Sequence, residues 1–372
     1  LVDGWSRHVA DSPVGIESVA YVMFTSGSTG TPKGVPVSYG NLCSYVDGVT
    51  ELIDFPNGAR WTQFFDLSFD LSIHDIFVSH RCGGTLVAPT QIDLMMPGAY
   101  AARERIDVWF SVPVLGAQLG NGKPKEAFAG VSQMLFCGEA LPVETVDACR
   151  PWLSNTGRMW NLYGPTEATI AFTAADVTNS PRTEGNASIG TAFGGNRTAL
   201  RGENGEITFE STVGSEGELL LGGPQVFAGY STDAPSPFIE SSGERFYRSG
   251  DLVRIDDEGI YFRGRVDSQV KFRGYRIELG EIESAARRIF NLKTVAVVVF
   301  GSHTDAKLAM FYLSDEAGDA SNGDAVLDPH KLESILPKYM IPSEFIPLDS
   351  MPTNQNGKID RRRLVADHGG NR

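Results

Sequence analysis

Residues 21–36 read YVMFTSGSTGTPKGVP: four hydrophobic residues run directly into Ser, Thr and Gly, and the stretch ends in Pro-Lys-Gly. Such a pattern predicts a strand opening into an oxyanion loop. Successive backbone N–H groups and the hydroxyls of Thr25, Ser26, Ser28 and Thr29 would face the anion, and Gly27 and Gly30 let the chain wrap closely around it. The natural guest is a phosphate. A P-loop would need lysine directly after the second glycine and a helix starting there; here Thr31 and Pro32 intervene and Gly34 follows Lys33, so that reading fails. Pro32 has no N–H and disfavours helix at Thr31, which puts Lys33 on a flexible loop able to close over a polyphosphate. A plain Gly/Ser linker is the competing reading of these residues alone.

Outward from this loop, the short apolar runs VAYVMF, GTLVAP, IDVWFSVP and VSQMLFCG read as strands and LPVETVDACRPWL as a helix, the alternation of a layered α/β domain. After residue 200 the texture changes to Gly-punctuated strands, GEITFE, GELLLGG and GIYFRGR, spaced as antiparallel hairpins in a β-rich subdomain. From residue 267 a small α+β unit follows. In it GEIESAARRIF puts Ile282, Ala286, Ile289 and Phe290 on one helical stripe, followed by strands TVAVVVF and KLAMFYL and a helix PHKLESIL. The expected division is therefore a large domain over 1–266 and a small mobile domain over 267–372.

The 372 residues carry a net charge of −14, and the one dense basic cluster is Arg361, Arg362 and Arg363, which argues against nucleic acid or an acidic membrane as partner. Four scattered cysteines without C-x-x-C spacing, six histidines without H-E-x-x-H, and no signal peptide or membrane span predict a cytoplasmic protein without structural zinc.

Eight motifs, in order, resemble the adenylate-forming enzymes that include nonribosomal peptide synthetase adenylation domains, acyl-CoA synthetases and luciferases. Besides the phosphate loop they are FDLSIHDIF (69–77), NLYGPTEAT (161–169), GELLLGGPQVFAGY (217–230), YRSGDL (247–252), GRVDSQVKFRGYRIELGEIE (264–283), LPKYMIP (336–342) and NGKIDR (356–361). FDLS together with FCGEALP is similar to D-alanine:carrier-protein ligases. Family members carry a substantial segment before the phosphate loop, and this chain nearly begins there.

The resemblance implies attack of a carboxylate on the α-phosphate of ATP, giving an acyl-adenylate and pyrophosphate, then attack of a carrier-protein phosphopantetheine thiol. Chemistry of this kind needs charge neutralisation and positioning. By resemblance, Thr25 to Gly30 and Lys33 hold phosphates, Tyr163 stacks on adenine beside Gly164, Asn161 meets an adenine edge, Thr166 reaches the α-phosphate and Glu167 binds Mg²⁺. Asp251 holds the ribose hydroxyls and Arg265 bridges ribose and phosphate. Lys358 would reach the reacting carboxylate only when the small domain closes; Asp267 matches the hinge, and Gly274, with Lys271, lines the pantetheine tunnel after rotation.

Asp70 is the discriminating residue. Amino-acid-activating members place an aspartate here for the substrate α-ammonium, and an unpaired buried carboxylate would be costly otherwise. The repeat FDLSFDLS leaves Asp66 as a competitor, but IHDIF directly after it sets the register on Asp70, with Asp66 a loop or capping residue. The remaining pocket carried over is Leu71, His74, Ser111, Leu135, Cys137, Gly138, Leu162, Ile170 and Ala171, mostly aliphatic and without a partner for a charged side chain. The expected substrate is thus a small neutral amino acid, alanine-like with the D-isomer included, or proline. The rival readings are an acyl- or aryl-CoA ligase, against which Asp70 counts, and a catalytically silent nucleotide- or carrier-binding domain, against which Lys358, Glu167 and Asp251 count.

Overall fold

The computed structural model describes residues 14–25, 32–122, 124, 128–180, 185–209, 212–232, 235–257, 259–267, 269–301, 306–314, 327–353 and 359–368. The strand expected before the phosphate loop spans Val19–Thr25 and pairs antiparallel with Lys33–Ser38, Thr25 opposite Lys33. Lys33 therefore opens a strand instead of riding a loop, because Pro32 enforces an extended entry and the alternation of Val35 and Val37, both fully buried, continues it. Ser38 then caps helix Tyr39–Leu52 in a capping box with Asn41.

Among the described residues a seven-stranded sheet runs in the order Thr85–Val87, Arg60–Thr62, Val108–Ser111, Val131–Phe136, Leu153–Tyr163, Thr173–Asp176, Thr191–Ala192; the first five strands are parallel and the last two antiparallel. Every residue of Val108–Ser111 is buried, as a parallel strand covered on both faces demands. Helices Tyr39–Leu52 and Leu71–Arg81 bury Tyr45, Val49 and Val78 in the same cluster as Trp61, Phe110, Leu135 and Leu162. A second, antiparallel sheet centres on the long strand Glu244–Asp256, which pairs with Glu216–Gly222, Phe238–Ser241 and Gly259–Arg265.

Beyond residue 268 lie a hairpin, Gln269–Phe272 with Tyr275–Glu278, helix Leu279–Phe290, and strands Val295–Phe300, Lys307–Leu313 and Glu344–Leu348. Ile282 and Ala286 are fully buried there, with Ile289 and Phe290 partly buried against the same cluster. The helix expected over PHKLESIL is instead a 3-10 turn, Pro329–Ser334; Leu332, Ile335 and Leu336 still pack on the core, but Pro337 follows directly and disfavours helix at Leu336. The basic cluster starts helix Arg361–His368, where Arg361 pairs with the nearly buried Glu283 at 2.7 Å. No helix among the described residues is long and apolar enough to cross a membrane.

Candidate active site

The parallel strands end together. Ser111 ends one strand, and Cys137 with Gly138 and Gly164 follow the carboxyl ends of its two neighbours, the edge where open α/β sheets hold ligands. A cavity of about 440 Å³ opens there, lined by Thr25, Asp70, Leu71, Cys137, Gly138, Gly164, Thr166, Ile170, Asp251, Arg265, Lys271 and Gly274 among others. Asp70 sits at the N-terminal cap position of helix Leu71–Arg81 but makes no side-chain capping bond, and its Oδ2 is shielded from solvent without any partner. Burial pushes this carboxyl up to about 6, against the opposing effect of a hydrogen bond from Thr166. Asp66, by contrast, is exposed and accepts from the Ser68 N–H at 2.9 Å and the Ser68 hydroxyl at 2.7 Å, a turn-capping role as expected.

The other pocket residues divide. Leu71, Cys137, Gly138 and Ile170 reach the cavity, whereas His74, Ser111, Leu135, Leu162 and Ala171 are buried and do not line it. His74 Nδ1 lies 2.6 Å from the Tyr45 hydroxyl among the rings of Phe55, Trp61 and Phe110; burial lowers its pKa to about 3, so the imidazole is neutral. The Cys137 thiol is pushed up to about 12 by burial and is no nucleophile.

On the nucleotide side, Thr25 and Pro32 bring both ends of the phosphate loop to the cavity; Ser26, Gly27, Ser28, Thr29 and Gly30 lie outside the described residues. The Lys33 ammonium stands 5.2 Å from the Tyr230 ring centroid. Asn161 donates to the Ser188 carbonyl at 2.8 Å and keeps its Oδ1 unpartnered and buried, an acceptor free for one N–H donor. Tyr163 donates to Asp251 Oδ2 at 2.5 Å, and Asp251 Oδ1 accepts from Arg265. Arg265 also forks onto Asp267, at 2.7 and 2.8 Å, so the arginine expected at ribose and phosphate here ties Asp251 to the expected hinge. Burial would raise the Asp267 carboxyl, but Arg265 overrides it and holds it low.

The hairpin of residues 269–278 closes the mouth. Lys271 stands 5.2 Å from the Tyr163 ring centroid, Gly274 N–H donates to Glu139 Oε1 at 2.5 Å, and Tyr275 stacks on Tyr339 at 3.8 Å with Phe69 edge-on at 5.0 Å. Glu167, expected to bind a metal, is instead paired with Arg276 at 2.7 Å through Oε2 and with the Tyr230 hydroxyl at 2.8 Å through Oε1. Burial alone would raise its pKa; the Arg276 charge and these hydrogen bonds keep it low. Arg276, Glu139, Tyr275, Tyr339 and Tyr230 went unassigned in the sequence reading. Their motifs are recognisable, but nothing in one sequence says which members meet across separations of 63 to 135 residues. Lys358 lies outside the described residues.

Residues 3–231 match the family model described as AMP-binding enzyme. The chain is 34% identical to a D-alanine--D-alanyl carrier protein ligase of Lactiplantibacillus plantarum, over 96% of this chain and 72% of the relative. It is also 34% identical to an L-proline--[L-prolyl-carrier protein] ligase of Pseudomonas fluorescens, over 98% and 72%. The fold superposes with a TM-score of 0.84 and 30% identity on the Vibrio cholerae adenylation domain AlmE in complex with glycyl-adenosine-5′-phosphate, covering 97% of this chain and 69% of that one.

Proposed function

The chain belongs to the AMP-binding enzyme family, and from that premise we propose that it activates a small neutral amino acid with ATP and passes it to a carrier-protein thiol. A substrate carboxylate oxygen attacks the α-phosphorus, the bond to pyrophosphate breaks, and a pantetheine thiolate then attacks the aminoacyl carbonyl and expels AMP. The carrying observation is Asp70: a carboxylate oxygen shielded in a largely apolar cavity, unused as a helix cap and without a partner, matches a substrate ammonium. The apolar walls Leu71, Cys137 and Ile170 suit an alanine-like or proline side chain, and relatives named for D-alanine and L-proline support that size. We assign ribose to Asp251, an adenine edge to Asn161, phosphates to the loop between Thr25 and Pro32, and the change between half-reactions to rotation of the unit from Asp267 onward. We also infer a cytoplasmic setting, where ATP is available as co-substrate.

A Mg²⁺ ion would shield polyphosphate charge, and Glu167 supplies the hard oxygen donor it prefers. In this arrangement both Glu167 oxygens are committed to Arg276 and Tyr230, so the residues present do not fit the ion.

Two results test the proposal. A panel of amino acids in pyrophosphate exchange is expected to peak at alanine, of either hand, with proline next; a peak at an aromatic, acidic or basic amino acid, or at an acid lacking the amino group, overturns the substrate assignment. Because the empty pocket protonates Asp70 near pH 6, amino-acid binding is expected to weaken about tenfold per pH unit below that value. Asp70→Asn should abolish the slope. The stability linkage has the opposite sign: a folded pKa of about 6 against 3.8 makes the free protein lose stability from this group as pH rises through that window.

A further inference from the structure

The segment that carries Thr166, Glu167 and Ile170 holds a backbone its own residues resist. Thr169 and Ile170 are consecutive β-branched residues at φ 57° and 69°, in the left-handed region where such side chains are outliers. A conformation of this kind persists only where the surroundings enforce it. Here the enforcing group is the buried amide of Gln225. Its Nε2 donates to the Ala171 carbonyl at 2.7 Å and the Thr169 carbonyl at 3.2 Å, with Ala168 O at 3.3 Å, while the Gln225 backbone carbonyl accepts from Thr169 Oγ1 at 2.6 Å. The amide is itself oriented, since Oε1 accepts from Asn196 Nδ2 at 2.5 Å. From the other side Asn41 donates to the Pro224 and Val226 carbonyls at 2.7 and 3.2 Å, pinning residues 224–226 to the helix that follows the phosphate hairpin.

We propose that Gln225, which does not line the cavity, is a positioning residue that holds Ile170 against it and so sets the size of side chain accepted. Thr166 and Glu167 precede the strained pair and have their own anchor, Phe227 N–H to the Glu167 carbonyl at 2.9 Å with Tyr230 on the carboxylate, so the nucleotide side stays in place when the clamp is lost. The inference rests on the amino-acid-activating reading.

Gln225→Leu keeps bulk and removes the side-chain hydrogen bonds, while the Thr169 hydroxyl keeps its backbone acceptor. It is expected to raise KM for the preferred amino acid at least tenfold, to leave KM for ATP within about twofold, and to lower the preference over a homologue one methylene larger at least fivefold, within the about 10- to 200-fold that a methylene controls. Adding Thr169→Gly should recover most of the loss, because glycine adopts positive φ without strain. A Gln225→Leu protein that melts earlier but keeps wild-type KM and size preference, or a double variant without recovery, overturns the proposal. If Gln225→Leu fails to fold, Asn196→Ala, which frees Oε1, must shift the size preference in the same direction or the proposal falls. Amide exchange over residues 168–172 separates the two readings: a tenfold acceleration in Gln225→Leu, reversed by Thr169→Gly, upholds the clamp even if no amino acid supports exchange, whereas unchanged exchange rates refute it even if the amino-acid activity stands.

Discussion

Asp70→Ala is expected to lower kcat/KM for the preferred amino acid in pyrophosphate exchange by roughly 150- to 5,000-fold, while Asp66→Ala stays within about twofold. The magnitude follows from removing one partner of a buried ion pair, about 3–5 kcal/mol, at about 1.36 kcal/mol per tenfold. The direction follows from geometry. The substrate ammonium would enter a cavity walled by Leu71, Cys137 and Ile170, where Asp70 Oδ2 is the shielded anionic oxygen that no protein group satisfies. Asp66 already spends its carboxylate on Ser68 at the surface. A larger loss at Asp66 than at Asp70 would move the ammonium site by four residues, and equal, small losses would remove the ion pair from the binding energy altogether.

What the sequence revealed and what it hid divide along the range of the interactions. The strands over 108–111 and 131–136 and the helix over 279–290 were readable because burial on both faces, or on one stripe, writes itself into local composition. Asp70, not Asp66, lines the cavity, as the register set by the residues that follow it suggested. The Arg276 to Glu167 pair, the Gln225 clamp and the Tyr45 to His74 bond join residues 109, 54 to 57 and 29 positions apart, and no local pattern encodes such a meeting. Lys33 was misread because a Gly/Pro-rich loop signal masks a strand that starts within it, and residues 329–336 because a helical stripe of Leu332, Ile335 and Leu336 sits on a stretch that Pro337 cuts short at a 3-10 turn.

Lys358→Ala is expected to reduce adenylate formation by two orders of magnitude or more while leaving thiol transfer from a supplied aminoacyl-adenylate within about fivefold of wild type, the loss typical of a charge-stabilising donor used in one transition state only. The described flanks of Lys358 motivate the split. Thr353 and Ile359 bridge to each other, and Met351 and Ile359 pack with Ala296, Val298 and Phe311, so this strip belongs to the unit that also carries the hairpin of residues 269–278. Neither Thr353 nor Ile359 lines the cavity, whereas Lys271, Gly274, Tyr275 and Arg276 of the hairpin do. The described arrangement therefore presents the hairpin face to Asp70 and Thr166, the face proposed for thiol transfer. In the proposed rotation about Asp267, the unit would withdraw Arg276 from Glu167 as the NGKIDR segment comes to neutralise charge developing on the α-phosphate. Single-turnover assays of each half-reaction decide the matter: adenylation within tenfold of wild type would strip Lys358 of this role, and an equal loss in both halves would mean that the substitution damages the unit itself instead of one of its two positions.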